Sequence, residues 1–191
     1  MSQPRTSRHG VPSAASLGLG RPNAAADLAA LGWDNEDHLD LLWTLAATGD
    51  PDQALNNIVR LVEATDDPAA LQDRLVTDHG FRVRLLALFG ASTLLGDHVV
   101  ANPGIWPLIG EDLPGGEDML ATMLESVGAE EVGGPDADGA PSHTGDSLLR
   151  RATVTGAEAD RAMRTAYRTL LARVAAIDLA GRNVLEAVQM S

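Results

Sequence analysis

The chain contains no cysteine. A disulfide framework, a thiolate zinc site and a cysteine nucleophile are therefore excluded. It also contains no lysine, all 14 basic residues being arginine. That removes a phosphate-loop lysine and a Schiff-base lysine. Aromatic residues make up only 3% of the 191 positions. Sandwiches and barrels draw on β-branched and aromatic side chains, so this scarcity argues against both. Long apolar runs are missing too. The longest, Leu85 to Leu95, is interrupted by Gly90, Ser92 and Thr93 and is too short to span a bilayer. Arg5 and Arg8 lead into Val11-Pro12-Ser13-Ala14-Ala15-Ser16, not into the apolar stretch of a leader peptide. A cytoplasmic location is expected. The net charge of −13 argues against nucleic acid or an anionic membrane as a partner.

What the chain does contain points to helices. Hydrophobic residues reach 45%, and many are Ala and Leu, both strong helix formers. The expected fold class is all-α: an antiparallel helical array, then a flexible linker, then one long C-terminal helix. Residues 1–22, rich in Ser, Pro, Gly and Arg, read as a disordered tail. Residues 23–127 read as a helical domain. Within it, Asn23 opens a short helix that Gly32 stops, and Asp34 caps a helix whose apolar stripe is Leu39, Leu42, Trp43 and Ala46. Asp50-Pro51 and Asp67-Pro68 start two more, with Asp as the cap and Pro at the first helical position. Their stripes are Leu55, Ile58, Val59 and Val62, then Leu71, Leu75 and Val76. His79-Gly80 reads as a turn before Phe81, Leu85, Leu88 and Phe89. Ser92 or Thr93 opens the next helix, Ile105, Trp106 and Leu108 form an apolar plug, and residues 116–127 form a small helix.

Residues 128–147 read as an acidic flexible linker, with repeated Gly and Pro and no periodicity. Residues 148–191 read as a long helix leading toward a missing catalytic domain. Its seam is Met163, Tyr167, Leu170, Val174, Ile177, Gly181, Val184 and Val188, at alternating steps of 4 and 3. Its other face carries Arg161, Arg164, Arg168 and Arg182, which read as a solvated face or a local pair with the acidic linker, the alternative being a surface for phosphate or a partner's acids. An uncovered seam favours self-association through this helix, or docking onto an absent domain.

Few residues carry a readable chemistry. Asp34 and His38 stand one helical turn apart, but two ligands are too few for a metal, and capping already accounts for first-turn acids. Asp97 and His98 are adjacent, so on a helix they point in different directions and do not form an acid–base pair. His79 reads as solvent-facing, and His9 and His143 lie in segments read as disordered. Asp136 and Asp138 have the one-residue separation of Mg²⁺-binding carboxylates, yet they lie between Pro135 and Pro141 and not on a rigid strand. Gly18-Leu19-Gly20 lacks the preceding strand and third glycine of a dinucleotide fingerprint. No residue of the chain is assigned as catalytic, cofactor-binding or metal-binding.

Several stretches together resemble one family. They are Leu31-Gly32-Trp33, His38 to Leu45, Asp50 to Leu61, Arg84 to Ser92, Leu95-Gly96-Asp97-His98-Val99-Val100, Asn102-Pro103 and Trp106. Leu148-Leu149-Arg150-Arg151, Ala166-Tyr167-Arg168 and Ile177-Asp178-Leu179-Ala180-Gly181 follow. Their order resembles the N-terminal helical region of the bifunctional glutamine synthetase adenylyltransferase/adenylyl-removing enzymes. That resemblance implies an enzyme with two nucleotidyltransferase domains joined by helical regions. One domain transfers AMP from ATP to a tyrosine of glutamine synthetase, and the other removes it by phosphorolysis. It implies ATP and Mg²⁺ as cofactors, the metal held by a Gly-rich turn and an Asp-x-Asp strand. A PII signalling protein and glutamine would set the balance in nitrogen regulation. This chain has no such turn and strand, so it reads as a fragment truncated before the catalytic motif and inactive alone. The alternative is a free-standing acidic helical interaction module without catalysis.

Overall fold

The computed structural model describes residues 10–131 and 150–189. The chain divides into two units, one holding the residues up to Asp112 and those from Ala172, the other Leu113–Leu171.

Most helices of the first unit begin at a capping side chain, though Asn23 makes no such bond at the start of the first one. The helices are α1 (Ala24–Ala30), α2 (Leu39–Ala46), α3 (Pro51–Ala64), α4 (Pro68–Thr77), α5 (His79–Ala91) and α6 (Thr93–Ala101), followed by a 3₁₀ segment, Pro103–Gly110. The Asp50 carboxylate accepts from Gln53 N–H at 2.9 Å, and Asp67 accepts from Ala70 N–H at 2.9 Å. Each satisfies a backbone donor that the first helical turn leaves open. Ser92 does the same for α6, accepting from Leu95 N–H. α3 packs mainly on α5 and α6. The approach is close: a Cβ on Gly96 would lie 2.6 Å from Asn57 Nδ2, and one on Gly90 would lie 2.7 Å from Thr48 Cβ. Leu55, Ile58, Leu61, Leu71, Leu75, Leu85, Leu88 and Phe89 are fully buried between these helices.

The structure corrects several expectations. Asn35, not Asp34, caps the turn before α2, its side chain accepting from Asp37 N–H at 3.0 Å. The buried residues of α2 are Leu41, Leu42 and Leu45, while Trp43 is 53% exposed. The expected stripe was rotated because Leu39 to Leu45 offers two apolar faces, and the neighbours α3 and α5 select one. In α4, Leu71 and Leu75 are buried, whereas Val76 is exposed. His79-Gly80 is no turn: Asp78 caps α5 through Phe81 N–H at 2.9 Å, so both residues lie in its first turn. Residues 15–20 do not behave as a loose tail. A 3₁₀ turn, Ala15–Leu17, ends at Gly18 with φ of 77°, and Leu17 and Leu19 join the core. The Asp52 carboxylate accepts from the N–H groups of Gly20 and Arg21 and ties this segment to α3.

The unit also includes part of the long helix α8 (Gly156–Gln189). Ala172 and Ala176 are fully buried in the same core, with Ala175 and Leu179 packed against it. The larger seam residues Met163, Tyr167 and Val174 are exposed instead. Small side chains let a helix approach its neighbours closely, so the alanine face packs inward. Arg173 donates to the Asp112 carbonyl, and Arg84 donates to the carbonyls of Gly110 and Glu111.

The second unit contains α7 (Gly116–Ser126), the start of α8, and a two-stranded antiparallel ribbon of β1 (Ala129–Glu131) and β2 (Arg150–Ala152). In its register Glu130 is the partner of Arg151 and Glu131 the partner of Arg150. The sequence reading missed this ribbon. α7 has no buried residue, and Leu120 is 60% exposed. Most of the expected linker, with Asp136, Asp138 and His143, lies outside the described residues, as does His9. The fold is all-α apart from the short ribbon.

Candidate functional site

One polar cavity of about 250 Å³ opens where the turn before α2 meets the junction of α4 and α5. Asp37, His38, Asp40, Thr77, His79 and Arg82 supply its polar lining. Local rules bring them there. Asn35 caps the Glu36–His38 turn and places His38, while Asp78 caps α5 and sets His79 and Arg82 one helical turn apart on the same face.

Donor and acceptor chemistry assigns the roles of the ring nitrogens in this cavity. Arg82 is buried, and its guanidinium donates to the Leu75 carbonyl at 3.1 Å and the Val76 carbonyl at 3.0 Å. Those carbonyls belong to the open C-terminal turn of α4, so Arg82 closes that helix end. A second guanidinium nitrogen lies 3.0 Å from His79 Nδ1. Guanidinium can only donate, so Nδ1 accepts and the proton of neutral His79 sits on Nε2. Asn35 Oδ1 can only accept, so His38 Nδ1, 2.9 Å away, carries its proton. Arg82 Nε is buried without a hydrogen-bond partner. Asp78, beside the cavity, has its carboxyl held below the ordinary carboxylate value. The main cause is the Phe81 N–H bond to its charged form. Burial opposes this, and the Arg74 side chain assists.

The residues singled out by sequence take structural places. Asp97 pairs with Arg60 at 2.6 Å on an exposed surface. His98 is buried, with Asn102 Nδ2 3.3 Å from its Nδ1. The two neighbours on α6 face apart, as their adjacency required. Asp34 is exposed and does not join His38 as a ligand pair. His79 is solvent-accessible, and it also accepts from Arg82. Among the described residues, no three His, Asp or Glu side chains come together as a metal-binding set. Those residues therefore offer no fit for Mg²⁺. No helix among the described residues is long and apolar enough to cross a membrane. The α5–α6 pair qualifies by composition but is bent by 119°. Reading the sequence alone missed Arg82. Only the start of its helix was legible: Asp78 stands three residues before Phe81 as Asp50 stands before Gln53 and Asp67 before Ala70, but without the proline.

The chain is similar over most of its length to a set of bacterial proteins. The bifunctional glutamine synthetase adenylyltransferase/adenylyl-removing enzyme of Corynebacterium efficiens is 43% identical over 189 residues, covering 91% of this chain and 18% of that protein. The protein of the same name from Corynebacterium glutamicum is 44% identical over 185 residues, again 91% of this chain and 18% of that protein. The one from Nocardia farcinica is 42% identical over 182 residues, 94% of this chain and 17% of that protein. No protein-family model matches the chain, and no solved structure matches it. It spans under a fifth of the length of these relatives. On this shared sequence, the chain belongs to the family of bifunctional glutamine synthetase adenylyltransferase/adenylyl-removing enzymes.

Proposed function

We propose that the chain serves as a helical scaffold segment of an enzyme that adenylylates and deadenylylates glutamine synthetase. The observation that carries this reading is identity above 40% along nine-tenths of the chain to relatives bearing that name. The structure supports a positioning role. Its buried polar groups close helix ends and bind loops, and none of them forms a nucleophile–base pair or a metal-binding set among the described residues. Phosphoryl transfer needs charge stabilisation by pre-oriented groups, and here that task falls to other parts of the enzyme. ATP and Mg²⁺ act there. Glutamine synthetase is the substrate, a PII signalling protein is the regulatory partner, and the cytoplasm is the location that goes with them.

A chimera tests this. The matching segment of the Corynebacterium glutamicum enzyme is replaced by this chain, and AMP transfer to glutamine synthetase is measured. Transfer within about tenfold of the parent supports the reading, a barrier change of roughly 1.4 kcal/mol. A folded but inactive chimera overturns it. The chain alone, with ATP, Mg²⁺ and glutamine synthetase, is expected to transfer no labelled AMP above background. Labelled synthetase would overturn the scaffold role.

A further inference from the structure

The chain leaves the first unit after Asp112 and re-enters it at Ala172, partway along α8. One arginine of the first unit joins these two crossings. Arg173, next to the point of re-entry, donates from Nη2 to the Asp112 carbonyl and pairs with Glu111 at 3.7 Å. Its side chain is only 11% exposed. Arg84 of α5 holds the same turn, donating to the Gly110 carbonyl at 2.9 Å and the Glu111 carbonyl at 3.0 Å. We propose that Arg173 is the clasp of a conformational device: Leu113–Leu171 opens and recloses as one local unit, while the first unit stays folded around clasped ends.

Burial changes abruptly at the two crossings. Just before Asp112, Ile109 is fully buried and Trp106 nearly so. Just after Leu171, Ala172 and Ala176 are fully buried. Among the described residues of Leu113–Leu171, Val127 alone is buried. Local openings arise where few apolar side chains are covered, so this stretch is the one that opens first. The opening stops at the clasp. Unwinding α8 past Ala172 exposes the buried alanines and strips a nearly buried guanidinium of both its partners. On the other side, the turn before Asp112 is held by Arg84 as well, and Arg74 donates to the Pro107 carbonyl. Keeping the ends of an open segment together costs an entropy that grows only slowly with its length. One guanidinium with two partners is therefore enough to hold them. Without it, the α8 turns after Ala172 lose their tie to the turn at Asp112 and follow the open stretch.

Native-state hydrogen exchange of the full chain, followed as urea is added below the unfolding transition, reads the result. Amides of α7 and of the α8 turns before Leu171 are expected to exchange through one shared opening. Their rate should be about a hundredfold above that of α3, α5 and α8 from Ala176 onward. In Arg173→Ala, the α8 amides from Ala176 onward and those of residues 105–112 should exchange at least about tenfold faster, while α3 and α5 keep their protection. Arg84→Ala is the comparison. It frees the Gly110 and Glu111 carbonyls without touching α8, so only residues 105–112 exchange faster. Arg173→Lys keeps a charge and a donor but not the planar fork, and gives an intermediate rate. The proposal is overturned if α7 exchanges as slowly as α5, since the chain then opens as one unit. It is also overturned if Arg173→Ala leaves the α8 amides from Ala176 onward as slow as in the wild type, or if Arg84→Ala speeds them equally. Should Arg173→Ala fail to fold, Arg173→Lys and Arg84→Ala supply the same comparison.

Discussion

The two units use similar residues to different effect. In the first, α3 and α5 bury Leu55, Ile58, Leu61, Leu85, Leu88 and Phe89 completely. In the second, α7 buries no residue completely: Met119, Met123 and Leu124 are half-buried and Leu120 is exposed, although the four give it an equally helical pattern. Periodicity establishes that a helix is amphipathic but does not supply the surface that covers it. The first unit has that surface because Gly90 and Gly96 let helices approach until Asn57 and Thr48 fill the gap. The second has a two-stranded ribbon, whose stability rests on a few cross-strand pairs.

The largest expected effect sharpens this contrast. Phe89→Ala, in the buried core, should lower unfolding free energy by about 3–5 kcal/mol. Leu120→Ala in α7 should change it by less than about 0.5 kcal/mol, since the side chain is already in water. Urea unfolding of both variants checks the pair, and equal losses would show that the second unit is covered in solution. Gly96→Ala comes next. Its Cβ cannot be placed without moving Asn57, which also donates to the Phe89 carbonyl, so a loss of about 1–3 kcal/mol is expected. A neutral result would mean that α3 and α6 separate without cost.

The smallest effect concerns Asp78. Its folded-state carboxyl is held below the ordinary value of 3.8, chiefly by the Phe81 N–H. The unfolded chain therefore binds more protons across that window, and stability rises with pH through it. The contribution is complete above the unfolded value and is lost as pH falls through the folded one. Asp78→Asn keeps a good cap but removes the titration. Its melting temperature should vary less than the wild type's between about pH 2 and 5. Parallel pH curves for the two proteins would contradict the assigned cause.

Much of the candidate site was invisible in the sequence. Arg82 meets the carbonyls of Leu75 and Val76 only because α4 and α5 meet at Asp78, and no local motif announces that contact. His38 and His79 are far apart in the chain, and the fold brings them to one cavity. Asp97 and His98 were legible as non-partners, because adjacency on a helix is enough to separate them.

The sequence by itself determined where most helices start and what period they follow. Asp50-Pro51, Asp67-Pro68 and Ser92 act within three residues, through hydrogen bonds and a fixed proline φ that need no distant partner. The unbroken course of α8 was also legible, as a long run of good helix formers without proline. Tertiary structure alone decided which face of each helix is buried. It turned Leu41 and Leu45 inward and Trp43 outward, drew Leu17 and Leu19 into the core, and chose the alanines of α8 over its larger seam. A helix with two apolar faces gains from burying either. The choice depends on the shape and closeness of the surface it meets, which pairwise spacing along one chain does not encode.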